Sequence, residues 1–180
     1  QSNPYEFRKV FQVAGAIANT ANYHHGDQSL NAAIINMAQD YPGSNNVPLL
    51  AGKGFFGSRL ELGDDAGQPR YIDVCISKIT DILFPKIDDD LLDHITEDNT
   101  VVEPYNYVPI VPILLINGCT AIGTGYACNI YKHSAMAIIE RIKDRLHGKK
   151  KLTPLEAHIN GWNGEFQLTE KSMYYLGSFV

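Results

Sequence analysis

The triplet Pro69-Arg70-Tyr71 sets a phenol beside a guanidinium. A phenol is a weak nucleophile at neutral pH because it is held in its protonated form. A neighbouring cation stabilises both a phenolate and the pentavalent phosphorus that it would attack. The chemistry on offer is phosphoryl transfer, in which positioned cations supply most of the stabilisation. The dipeptide alone also describes a Tyr and an Arg at the mouth of a strand, facing opposite ways, and that structural reading is the commoner one.

Two further groups bear on chemistry. Tyr23-His24-His25-Gly26-Asp27 stands where a helix begins. Zinc is disfavoured there, since no Cys or further His falls at ligand spacing. A helix N-terminus that carries His is a natural anion site, and a hydrogen-bonded structural His competes with it. Ala121-Ile122-Gly123-Thr124-Gly125 places one large apolar side chain among small residues. An exposed Ile on such a loop can wedge between base pairs and kink a duplex. Packing of Ile122 into the core is the more frequent outcome for this composition, and a phosphate-cradling glycine loop lacks its full spacing.

Helical periodicity over Arg8–Ala21 (Val10, Val13, Ala14, Ile17, Ala18, Ala21) predicts one amphipathic helix. A second follows over Leu30, Ala33, Ile34, Met37 and Tyr41, capped by Asp27 or Ser29. Together they outline a helix-turn-helix. Glycines 43, 52, 54 and 57 then punctuate short apolar pieces that suit hairpins and exposed loops. Tyr71–Val74 reads as a short strand, and Ile76, Ile79, Ile82 and Leu83 as a helix ending before Pro85. Asp89 or Asp90 is expected to cap a short helix through Leu91, Leu92 and Ile95. A second unit begins near Val108 with a buried strand to Ile116, kept off regular pairing by Pro109 and Pro112. A glycine-flanked loop, Asn117–Gly125, follows it. Ser134 caps a helix carrying Ala135, Ile138, Ile139, Ile142 and Leu146, which Gly148 closes, and strands separated by turns occupy Gly161–Val180.

The 180 residues suffice for one sizeable domain or two small ones, and 44% hydrophobic content argues for a folded chain. The longest apolar run, Ile110–Ile116, is too short to span a bilayer. Gln1, with no initiator Met, reads as the continuation of a longer chain. Cys75, Cys119 and Cys128 have neither metal-ligand spacing nor even pairing and read as free thiols. A net charge of −5 argues, taken alone, against nucleic acid and for a domain whose acidic surface binds protein. Charge is local, however. Arg8, Lys9, Lys53, Arg59 and Arg70 lie in the first half, whereas the acids cluster at Asp88–Asp90 and Asp93–Asp98.

Six segments in one order carry a resemblance: YHHGDQSL at Tyr23–Leu30, GSNN at Gly43–Asn46, GFFGSR at Gly54–Arg59, PRYI at Pro69–Ile72, VEP at Val102–Pro104 and LINGCTAIGTGY at Leu115–Tyr126. The chain resembles the breakage–reunion part of type IIA DNA topoisomerases of the eukaryotic or large-virus kind. The resemblance implies an α+β fold, with a winged-helix domain over 1–107 that holds the nucleophilic tyrosine and part of an α/β tower domain over 108–180. It assigns Tyr71 as the attacking nucleophile, Arg70 as the cation on the scissile phosphate, and His25 as a phosphate hydrogen-bond donor or proton-transfer group. Ile122 becomes the intercalating wedge, and Arg59, with Lys53 and His24, contacts DNA. The implied reaction is reversible double-strand breakage of DNA by a homodimer, for strand passage. The alternative is a winged-helix module that binds DNA without cutting it. Mg²⁺ and ATP serve the full-length enzyme and bind outside this chain. No segment matches the acidic domain that holds the metal, and Asp88–Asp90 read as a helix start. The implied compartment is the nucleus for a cellular protein, and the host cell or virion for a viral one.

Overall fold

The computed structural model describes residues 3–21, 23, 25–97, 100–169 and 172–177. The chain divides into two compact units, Gln1–Asp40 with Pro48–Val111, and Tyr41–Val47 with Pro112–Val180. A single boundary near Val108 therefore misses a short excursion. Residues 41–47 leave the first unit and return to it, and side-chain amides account for the detour.

The first unit opens with β1 (Arg8–Lys9), α1 (Val10–Thr20) and α2 (Asp27–Ala38). The strands β2 (Leu50–Lys53) and β3 (Asp73–Ile76) follow, and the antiparallel sheet has the order β1-β3-β2. The helical stripe read from the sequence is real but narrow. Val10 and Ala14 are buried, whereas Ile17 is 39% exposed. They join Ile34, Ala38, Phe56, Ile72 and Val74 in one core. The helix α2 starts at Asp27, with Gly26 in the cap position and no side-chain cap bond. Neither Asp27 nor Ser29 is the cap. Asp27 instead lies in the first turn, where a carboxylate favours the positive helix end.

Beyond β3, α3 (Lys78–Leu83) stops before Pro85, as the proline demands. Asp88–Asp90 fall within a 3₁₀ helix, Lys86–Leu91, rather than capping a longer one. Leu91 is 82% exposed there, so no apolar face exists to carry the helix on. The chain turns instead into the hairpin of β4 (His94–Glu97) and β5 (Thr100–Pro104). The strand expected at Val108–Ile116 is absent. Pro109 and Pro112 offer no N–H to a ladder, and Pro112 instead precedes the short helix α4 (Ile113–Asn117).

The second unit continues with the hairpin β6 (Cys119–Gly123) and β7 (Tyr126–Ile130), helix α5 (Ala135–Leu146), and the hairpin β8 (Glu165–Leu168) and β9 (Met173–Leu176). Among the described residues, Ile116, Ile138 and Ala157 are its buried apolar ones. Asn46 ties the excursion to this unit. Its Nδ2 donates to the carbonyls of Ile116 (3.0 Å), His133 (3.2 Å) and His158 (2.9 Å), and its Oδ1 accepts from the Asn160 N–H (2.8 Å). Two amide hydrogens serve three acceptors, so one is shared. Asn117 pairs with the Val47 backbone in both directions, at 2.8 and 2.9 Å. Lys132 donates to the Asn117 carbonyl at 2.7 Å, and its burial pushes the ammonium below the usual lysine range.

Candidate active site

Tyr71 closes a β-turn. Its N–H donates to the Gln68 carbonyl at 2.8 Å, which places Pro69 at the second turn position, where its fixed φ is favoured. From there the chain runs extended and alternates. Ile72 and Val74 are 3% and 2% exposed, whereas Tyr71 is 74% exposed. Tyr71 is still a turn residue and the strand begins at Asp73, so the buried Ile72 anchors the backbone directly beside an exposed phenol. Ile72 is held in a slot that only glycines permit. A Cβ at Gly54, where φ is 115°, would meet Ile72 Cγ2 at 3.0 Å, and one at Gly67 would meet it at 2.8 Å.

The turn is also docked on a helix end. The first N–H groups of α1 have no intrahelical acceptor. Val10 donates to the Ile72 carbonyl (3.1 Å) and Phe11 to that of Pro69 (3.3 Å). The helix and the tyrosine turn thus satisfy one another. The Arg70 guanidinium lies 5.7 Å from the Phe11 ring centroid, a cation–π contact that orients it without consuming its charge.

Sheet register sets two lysines around an acid near Tyr71 in the chain. Lys9 and Lys53 both pair with Asp73, one from each side, two residues beyond the tyrosine. Lys9 Nζ bonds the Asp73 carboxylate at 2.7 Å and reaches the Tyr71 carbonyl at 3.4 Å. The sequence points to Lys53 here, but not to Lys9, Phe11 or Asp73 as site residues. Their contribution depends on strand pairing across more than sixty positions, which no local motif encodes.

Gly54–Gly67 form the loop that carries Arg59, which is exposed. The loop is closed by Gly63 N–H to the Ser58 carbonyl (3.0 Å), Gly67 N–H to the Phe55 carbonyl (2.8 Å), and Ser58 N–H to Asp65 Oδ1 (2.8 Å). The Ser58 hydrogen bonds hold the Asp65 carboxyl below its usual range. His25 is exposed, one residue before the cap position of α2, with its ring edge-on to Tyr23 at 5.3 Å. His24 lies outside the described residues. Arg70, Tyr71, Lys53, Arg59 and His25 all belong to the first unit, and Ile122 belongs to the second.

Ile122 is not a core residue. It is 89% exposed, near the tip of the β6–β7 hairpin, where it pairs with Ala127. The expected glycine loop is this hairpin, and only Thr124 and Gly125 connect its strands. Gly125 takes a φ of 83°, which suits a two-residue connection. The Tyr126 ring crosses Gly123, where a Cβ would lie 2.6 Å from it. Ile122 and Tyr126 thus both stand exposed at this hairpin, at 89% and 72%.

Among the described residues no three His, Cys, Asp or Glu side chains converge as a metal site, and no helix is long and apolar enough to cross a membrane. The family model for the A-type subunit of DNA gyrase/topoisomerase IV matches residues 1–177. The chain is 42% identical over 166 residues to DNA topoisomerase 2-beta of Mus musculus, covering 92% of this chain and 10% of that protein. It is 43% identical over 161 residues to DNA topoisomerase 2 of Arabidopsis thaliana, covering 89% of this chain and 11% of that one. The solved Plasmodium falciparum topoisomerase II DNA-binding, cleavage and re-ligation domain superposes with a TM-score of 0.92 at 38% identity, covering 96% of this chain and 24% of that one. The chain thus spans about a tenth of the length of these curated relatives.

Proposed function

Because the chain belongs to the DNA gyrase/topoisomerase IV family, we propose that it forms part of the cleavage core of a type IIA DNA topoisomerase, with Tyr71 as its nucleophile. The observation that carries this reading is Tyr71 itself, 74% exposed on a turn whose inner side is locked by a buried Ile72. A nucleophile must be free to reach its target and fixed in direction, and this turn meets both demands.

In the reaction, Tyr71 Oη attacks a backbone phosphorus of duplex DNA. The Oη–P bond forms as the bond from phosphorus to the 3′ oxygen breaks. The phenol gives up its proton and the 3′ oxygen departs as a hydroxyl on taking one up, with His25 either assisting proton transfer or donating to a non-bridging phosphate oxygen. The 5′ phosphate stays on Tyr71, and religation is the reverse attack by the 3′ hydroxyl. Arg70 stabilises the charge gathered on the phosphoryl oxygens. Lys53 and Arg59, with His24, hold the flanking backbone. Two tyrosines of a homodimer cut opposite strands, and a second duplex passes between them. Ile122 wedges into the base stack, and the contacts of the bent duplex offset the unstacking.

On this reading Gln1–Asp40 with Pro48–Val111 is the winged-helix domain. Its α1 and α2 form the helix-turn-helix, its three-stranded sheet packs beneath them, and the 54–67 loop is the wing. The second unit is part of the tower. Mg²⁺ and ATP belong to other parts of the longer protein.

The full-length dimer, incubated with Mg²⁺ and supercoiled DNA and run on a denaturing gel, yields protein-linked DNA ends. Tyr71→Phe is expected to abolish them while leaving thermal unfolding and duplex binding unchanged. Covalent complexes formed by the Phe variant would show that Tyr71 is not the nucleophile. A wild-type protein that binds DNA but never links to it would favour the non-cutting module.

A further inference from the structure

The end of α5 gathers positive charge that the cleavage site does not use. Arg141, Lys143, Arg145, Lys149, Lys150 and Lys151 fall within eleven residues of a chain whose net charge is −5. Two acids offset part of this. Glu140 pairs with Lys143 and Asp144 with Lys149, each at 2.8 Å. Arg141 and Arg145 donate to backbone carbonyls, of Thr153 and Lys150, which orders them without neutralising them. Lys150 and Lys151 are exposed. The Lys149 hydrogen bond, with the charges of Lys149, Arg141 and His147, holds the Asp144 carboxyl below its ordinary value.

The helix end does not explain this density. A helix C-terminus carries about half a negative charge, and its influence fades within the last turn. Lys150 and Lys151 lie beyond Gly148, which takes a φ of 79° and turns the chain out of the helix. Like charges crowded on one turn repel, so the cluster costs stability unless an anion meets it.

We propose that the basic turn formed by Arg145 and Lys149–Lys151 is a second, sequence-independent contact for the sugar–phosphate backbone of duplex DNA, separate from the Tyr71 site. The proposal rests on the reading that the protein acts on duplex DNA, and it adds a surface that grips the duplex without taking part in cutting. Lysines are flexible point charges, so they hold phosphates without reading bases.

The test uses the full-length protein and its Lys149→Gln/Lys150→Gln/Lys151→Gln variant, with fluorescence anisotropy on a labelled duplex across a salt series. Each neutralised phosphate contributes a slope of about −0.9 to log K against log salt, and Lys149 is already paired with Asp144, so loss of the Lys150 and Lys151 contacts should make the slope shallower by about 1.8. The wild-type advantage should then shrink about 12-fold between 50 and 200 mM salt. Lys86→Gln, a change on an exposed residue of the first unit, should leave the slope as it is. Thermal unfolding of the triple variant should match the wild type, and covalent complex at saturating DNA should persist. An unchanged slope in a folded triple variant overturns the proposal. So does a variant that loses only its binding to phosphatidylserine vesicles, which would make the turn a lipid contact. If the Tyr71→Phe comparison failed while the slope still fell, the basic turn would stand and the cleavage reading alone would fall.

Discussion

At the end of the turn Tyr71 is exposed and its neighbour Ile72 is buried, and the pair divides labour accordingly. Ile72 supplies anchorage and Tyr71 supplies reach. The anchorage depends on Gly67, where a Cβ would sit 2.8 Å from Ile72 Cγ2 and 3.3 Å from the Phe55 carbonyl oxygen. Gly67→Ala must displace Ile72, and with it the turn that aims the phenol. Overpacking of this kind costs about 1–3 kcal/mol. The expected outcome is a modest loss in denaturant midpoint together with a larger loss of covalent DNA complex. An Ala variant that cleaves as well as wild type would mean that Ile72 does not set the direction of Tyr71. The triplet itself is visible in the sequence as a possible phosphoryl-transfer site, but the residue types alone do not say which way the phenol faces. The burial of its neighbour decides that.

Among the elements, α1 and α2 follow the apolar periodicity of the sequence over most of their length, although α2 ends at Ala38, short of Tyr41, because an amphipathic stripe and a sheet to cover are sufficient to form them. The strand read at Val108–Ile116 failed for the opposite reason. Apolar content suggested burial, but two prolines removed the donors that a ladder needs, and α4 formed after Pro112. The β6–β7 hairpin is the third case. Its glycines announced a turn, yet the same glycines suit a core loop, and Ile122 at 89% exposure settles the matter. Ile122→Ala removes an exposed apolar side chain at this tip and leaves the buried core residues unchanged. It should leave thermal unfolding within experimental error and reduce bending of a gate duplex, measured by energy transfer between dyes at its ends. Unchanged bending would remove the wedge role from Ile122.

Across the whole chain, the two units are interleaved rather than consecutive, and Asn46 is the residue that makes them so. It bonds three carbonyls and one N–H of the second unit, donating between 2.9 and 3.2 Å and accepting at 2.8 Å. Asn46→Ala leaves those groups without a partner, at a cost of about 1–3 kcal/mol. A lower melting temperature, with the loss of protection in hydrogen exchange confined to residues of the second unit, is the expected outcome. A melting temperature equal to wild type would show that Asn46 does not hold residues 41–47 in place. The sequence by itself determined the helices of the first unit, the ordered motifs that carry the family resemblance, and the identity of the tyrosine beside an arginine. These are local properties, set by periodicity and by residue type. Only the tertiary structure decided that Lys9 and Lys53 flank Asp73 beside Tyr71, that Ile122 stands in solvent, and that Asn46 belongs with residues 70 or more positions away. Each of these is fixed by strand register, burial or a long-range hydrogen bond, and none of those is written in the residues nearby.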